Sequence, residues 1–220
     1  MTLKIATLAG SLFGAGGALL GAWITEMNKR RTDAEEKAKG QIEAQDYLAP
    51  ELFRTIERAL YINDRAIANF ICESAQNDIK TNDLQDDFRP YLPSLYPSAP
   101  QVRDLPGEKA IALIRYYDSQ HTMGKLVDDW WERKGQLAVN IFLSILNSSE
   151  KSLDLALVCI REFDLEKRFP PEYDSWGTIT TRIERSLSSA AEARKHHMLR
   201  AEARAGDKSS QKKGNPFRTY

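Results

Sequence analysis

The stretch Leu52–Ile71, LFRTIERALYINDRAIANFI, sets Leu52, Ile56, Leu60, Asn63, Ile67 and Ile71 at intervals of four, four, three, four and four residues. Side chains three and four apart share one helix face, so this is an amphipathic helix. The spacing is close to the coiled-coil heptad, with a single polar break at Asn63. Pro50 suits the first turn of a helix, and the helix is expected to start near it and run to about Asn77. No stretch of the 220 residues shows the apolar alternation of a strand, and no repeat of 20–50 residues is visible. The expected fold is all-α.

Working upstream, residues 25–44 (TEMNKRRTDAEEKAKGQIEA) mix both charge signs and suit a solvated helix, with Glu35 and Lys39 in the favourable i,i+4 order. Before them lies Ile5–Ile24, IATLAGSLFGAGGALLGAWI, which carries no charge. Twenty residues at about 1.5 Å each match a hydrocarbon core of roughly 30 Å. Lys29, Arg30 and Arg31 follow the run and Trp23 sits at its edge, as at a cytoplasmic membrane interface. A signal peptide would carry its basic residues before the apolar run. An interfacial helix would need a charged face. The reading is therefore a transmembrane helix over 1–25, its N-terminus outside and the rest on the cytoplasmic side of the plasma (inner) membrane. Gly10, Gly14, Gly17 and Gly21 fall on one side of that helix as a small-residue ridge, which suits self-association or docking of a partner helix.

Downstream, residues 81–106 hold five of the nine prolines, with Tyr91, Leu92, Leu95 and Tyr96 interleaved. They read as a short helix near Leu84–Phe88 followed by an ordered loop. Pro106 opens a helix whose stripe is Ala110, Leu113, Ile114, Tyr117 and, weakly, His121; it either breaks at Gly124 or runs on to Trp130 and Trp131. Leu137, Ile141, Phe142, Ile145 and Leu146 form the next apolar face. Ser148 or Ser149 resembles an N-cap for a helix over 150–163. A loop with Pro170 and Pro171 leads to a last helix, beginning near Asp174 or Ser175 and packing through Ile179, Ile183 and Leu187. The domain plan is an anchor (1–25), a charged stalk continuing it (26–47), an antiparallel helical bundle (48–204) with a Pro-rich loop near 89–106, and a disordered basic tail (205–220).

Lys+Arg and Asp+Glu are 31 each, so the chain is neutral overall. The neutrality is uneven: residues 1–41 carry net +2, residues 42–181 net −8 and residues 182–220 net +6. An acidic bundle sits between basic ends. Nucleic acid is not an expected partner of a neutral chain, while the basic C-terminal region could touch anionic lipid.

Catalytic signals are sparse. Cys72 and Cys159 stand alone in apolar helices, and His196-His197 are adjacent, so they point in different directions on a helix. The sequence has no GxxxxGK[ST], GxSxG or HExxH. Asp128-Asp129-Trp130-Trp131 reads as one packed indole, one half-exposed indole and a solvated acidic face. No cofactor or metal is implied.

The stretch Tyr91-Leu92-Pro93-Ser94-Leu95, followed by Leu105-Pro106-Gly107 and the run to Arg115-Tyr116-Tyr117, resembles small bacterial single-pass membrane proteins with a charged stalk and a cytoplasmic helical domain. That resemblance implies a bacterial inner membrane and no activity. The expected role is a membrane-anchored interaction or scaffold module without catalytic activity, partnered by the bilayer and by a protein or its own copies through the transmembrane helix. The alternatives are an oligomerising, membrane-perturbing accessory or effector subunit, and an enzyme whose site has no recognisable motif.

Overall fold

The computed structural model describes the backbone of residues 2–74, 85–132 and 141–213, together with the loops 89–106 and 163–178; side chains are described over 22–71, 85–132 and 142–204. Among the described residues the chain is helical, without strands. Four long helices are α1 (Thr2–Ser74), α3 (Gly107–Glu132), α4 (Ile141–Glu162) and α6 (Ile179–Lys213). Single turns form α2 (Gln85–Phe88) and α5 (Leu165–Arg168), and 3-10 turns cover Pro100–Asp104 and Asp174–Trp176.

The helix expected to start near Pro50 instead passes straight through it: α1 is one helix of 73 residues, about 110 Å long. A proline inside a helix removes one backbone hydrogen bond and costs about 3 kcal/mol. Leu48, Ala49 and Leu52 around it are almost wholly buried, and their packing offsets that cost, while the Pro50 ring faces solvent. Similarly, α4 does not start at Ser148 or Ser149. A mid-helix serine can share its hydroxyl proton with a carbonyl one turn back, so it need not mark a helix start; the Ser149 hydroxyl lies 3.0 Å from the Leu146 carbonyl. α3 continues past Gly124, held by the fully buried Met123 and Val127 on either side. The last helix begins at Ile179, because Gly177 at φ 74° ends the preceding turn.

The bundle is not antiparallel throughout. Arg182 of α6 pairs with Glu57 of α1 (3.0 Å), and further along the His197 ring lies tilted beside Phe70 (5.3 Å), so α1 and α6 run the same way. α3 shares that direction, from Leu113 beside the first half of the α1 segment to Trp130 beside the second. Only α4 runs back. The reason lies in the connection before α3, which returns along the bundle from Phe88 in one core cluster to Leu105 in the other. α1 grips this connection. The Glu51 carboxylate accepts from the Ser94 amide (2.9 Å), the Ser94 hydroxyl (2.5 Å) and the Leu95 amide (3.1 Å). Arg54 and Arg58 lie over the Tyr91 ring, and Arg58 donates to the carbonyls of Arg89 (2.9 Å) and Asp86.

Two hydrophobic clusters result. The near cluster joins Leu48, Leu52, Ile56 and Leu60 to Leu113, Tyr116, Phe163 and Ile183. The far cluster joins Ile62, Ala66 and Phe70 to Phe88, Met123, Trp130, Phe142 and Ala193. Trp130 is buried, edge-on to Phe142 at 5.4 Å, and Trp131 is half-buried, as the sequence pattern implies.

No helix among the described residues is long and apolar enough to cross a membrane. The transmembrane helix therefore gains no support from the fold and stands on the sequence of residues 1–24. α6 remains helical to Lys213, into the 205–220 stretch expected to be a disordered tail.

Candidate functional site

Gly10, Gly14, Gly17 and Gly21 have side-chain surroundings outside the described residues. Of the interface residues, Trp23 is 61% exposed and Lys29 is exposed, while Arg30 and Arg31 bind Glu26 and Glu35 of their own helix, each at 2.9 Å. From Ala22 to Lys39 every residue is exposed.

Between the two core clusters lies a polar layer. The buried Asn63 amide donates to the Ser186 hydroxyl (2.8 Å), and its carbonyl accepts from the Ser149 hydroxyl (2.8 Å). Ser186 in turn donates to Asp64. Three helices are tied at one level, and a one-turn slip of any of them would leave these groups unpaired in the core. The polar break at Asn63 is thus the register pin. Ser149 looked like a cap in the sequence, and Ser186 carried no signal until folding brought it across from Asn63.

On the near-cluster side of this layer, α3 carries buried polar groups of another kind. The Tyr116 and Tyr117 hydroxyls and both polar atoms of Gln120 meet no hydrogen-bond partner among the described residues. Burial pushes both tyrosines well above their usual range; at Tyr116 the nearby Thr55 hydroxyl opposes the shift, and at Tyr117 the Glu51 carboxylate adds to it. Burial also pushes the Cys159 thiol up to about 12, helped by Glu162. A thiol that stays protonated is a weak nucleophile. Among the described residues no group of three or more His, Cys, Asp or Glu side chains is placed to hold a metal ion.

A groove runs between α1 and α6. Its first part, about 770 Å³, is lined by Phe53, Glu57, Leu60 and Asp64 on one wall and by Arg182, Arg185 and Ser189 on the other. The 169–177 loop closes one end: Phe169 stacks on Phe53 at 4.6 Å, and Tyr173 and Trp176 stand half-exposed at the rim. A second hollow of about 300 Å³ continues from Ser189 between Ile67 and Ile71 of α1 and Ala193, His196 and Arg200 of α6. The groove thus spans Phe53 to Ile71, five turns or about 27 Å of helix. On α1 the lining residues follow a four-three alternation, and on α6 so do Ile179, Arg182, Ser186, Ser189, Ala193, His196 and Arg200. That is the spacing with which a helix presents one stripe to another helix. The apolar pattern of α1 showed half of the stripe. The α6 half escaped because most of its members are polar.

No protein-family model, curated protein or solved structure matches the chain.

α6 carries its basic end beyond Ala193, at the end of the bundle opposite to where α1 enters at Ala44. The length of the bundle therefore separates the basic C-terminal stretch from the N-terminal run.

Proposed function

We propose that the chain is a non-catalytic helical interaction module, tethered to the inner face of a bacterial plasma membrane by the first turns of α1. The observation that carries this reading is the continuity of α1. An uncharged twenty-residue run leads, without a break in the helix, through a fully exposed charged segment into a packed bundle. A helix exposed on every side and laced with i,i+4 ion pairs suits a spacer that holds a domain away from a surface. The open α1–α6 groove supplies the contact face. The positive-inside bias of Lys29, Arg30 and Arg31 sets the bundle on the cytoplasmic side. Contact of the basic C-terminal end with the anchoring bilayer is not part of this reading, because that end lies far beyond a Debye length of about 8–10 Å from the anchor.

Fractionation of cells expressing the full-length chain tests it. The protein should sediment with membranes, resist extraction at alkaline pH and dissolve in detergent. A variant carrying Leu12→Arg and Leu19→Arg should move to the supernatant, since each buried arginine costs roughly 2.5–3.5 kcal/mol on insertion scales. Recovery of the unaltered chain in the high-speed supernatant without detergent would overturn the tether.

A further inference from the structure

We propose that the α1–α6 groove is the contact face of a parallel, two-fold symmetric dimer of this chain, each copy filling the groove of the other. The argument starts from the charge on the two walls. α1 lines the groove with Glu57 and Asp64 and with no base, whereas α6 lines it with Arg182, Arg185 and Arg200 against the single acid Glu192. Glu57 is shared with Arg182 inside one copy, but Arg185 and Arg200 form no ion pair among the described residues.

Symmetry makes this pattern self-complementary. α1 and α6 run the same way, so a two-fold axis along the groove keeps every residue at its own level. It lays the acidic wall of α1 across the basic wall of α6 in the second copy, and the reverse. Asp64, at the level of Ser186, then faces the other copy's Arg185 one turn or less away. The half-exposed Tyr173 and Trp176 at the rim meet the second copy as aromatic anchors, and Ile71, 42% exposed at the other end, is covered. The same axis sends both N-terminal helices in one direction, so two tethered copies can share one membrane. An antiparallel pairing would send them in opposite directions. The inference extends the tethered-module reading but depends only on the described bundle.

The test measures the molar mass of the full-length chain in density-matched detergent by sedimentation equilibrium. The chain should be a dimer whose dissociation constant rises with ionic strength. Arg185→Glu should weaken it about tenfold or more, and so should Asp64→Arg. Mixing the two variants should restore the dimer, because one of the two contacts is native and the other is charge-swapped. Trp176→Ala, which changes no charge, should also weaken it, and circular dichroism should show each variant as helical as the parent. A dimer unaffected by Arg185→Glu would overturn the inference. So would loss of the dimer only on Gly14→Leu with Gly17→Leu, which would place association in the N-terminal helix. A monomer at every concentration would overturn it too and leave the groove to a helix of another protein. Fractionation and sedimentation report separately. A chain that pellets with membranes but ignores Arg185→Glu keeps the tether and loses the groove dimer, and a soluble chain with a salt-sensitive dimer does the opposite.

Discussion

Between Ala22 and Lys39 every residue of α1 is exposed, while between Ala44 and Phe70 the same helix buries Leu48, Leu52, Ile56, Ile62 and Phe70 almost completely. The first region is held by ion pairs within the helix: Arg30 with Glu26, Arg31 with Glu35, and Lys39 with Glu43 at 3.7 Å. Each exposed pair of this kind contributes at most about 0.5 kcal/mol. The second is held by other helices, and it tolerates Pro50 because packing outweighs the lost hydrogen bond. One continuous helix thus does two jobs. In one region propensity and charge decide whether it exists; in the other, burial decides.

Substitutions at three positions sharpen this contrast. Ile56 is fully buried in the near cluster, and Ile56→Ala should cost about 2–5 kcal/mol in urea unfolding followed by circular dichroism. A loss below about 1 kcal/mol would mean that the near cluster does not hold the bundle. Asn63→Ala should cost about 2 kcal/mol, because two buried hydrogen bonds disappear and the Ser186 hydroxyl loses its donor. Asn63→Leu should leave a helical protein with poorly dispersed side-chain resonances if the polar layer sets the register, and unchanged dispersion would count against that role. Gly40→Ala carries the smallest effect and the opposite sign. A Cβ at Gly40 meets nothing within 4 Å, so the exchange should favour the helix by about 0.5–1 kcal/mol. Slower amide hydrogen exchange around residues 36–44 would record it, with little change in the unfolding midpoint of the bundle. A large rise in that midpoint would show that the exposed segment and the bundle unfold as one unit.

Much of the fold was legible because long amphipathic helices repeat their pattern. The α1 stripe from Leu52 onward, the α3 stripe through Leu113 and Tyr117, and the inward Trp130 all follow from three-four spacing. The misreadings share one cause. Pro50 and Ser149 are local signals for a helix start, and local signals yield when side chains on both flanks are buried. The mixed helix directions were hidden because no local spacing shows that the chain from Phe88 to Leu105 returns to the near end before α3 begins. The candidate groove was half legible, since Leu60, Ile67 and Ile71 of its α1 wall obey a hydrophobic period and its polar α6 wall does not.

The amino-acid order alone determined that the chain is helical, that an uncharged run precedes a charged stretch, and that acidic and basic stretches are segregated, because each of these is a property of neighbours along the chain. Tertiary structure alone decided which helices run together, that Asn63, Ser149 and Ser186 share one level, and that α1 and α6 leave a groove with oppositely charged walls. Those outcomes depend on groups more than 120 positions apart meeting across the bundle, and no local spacing encodes that meeting.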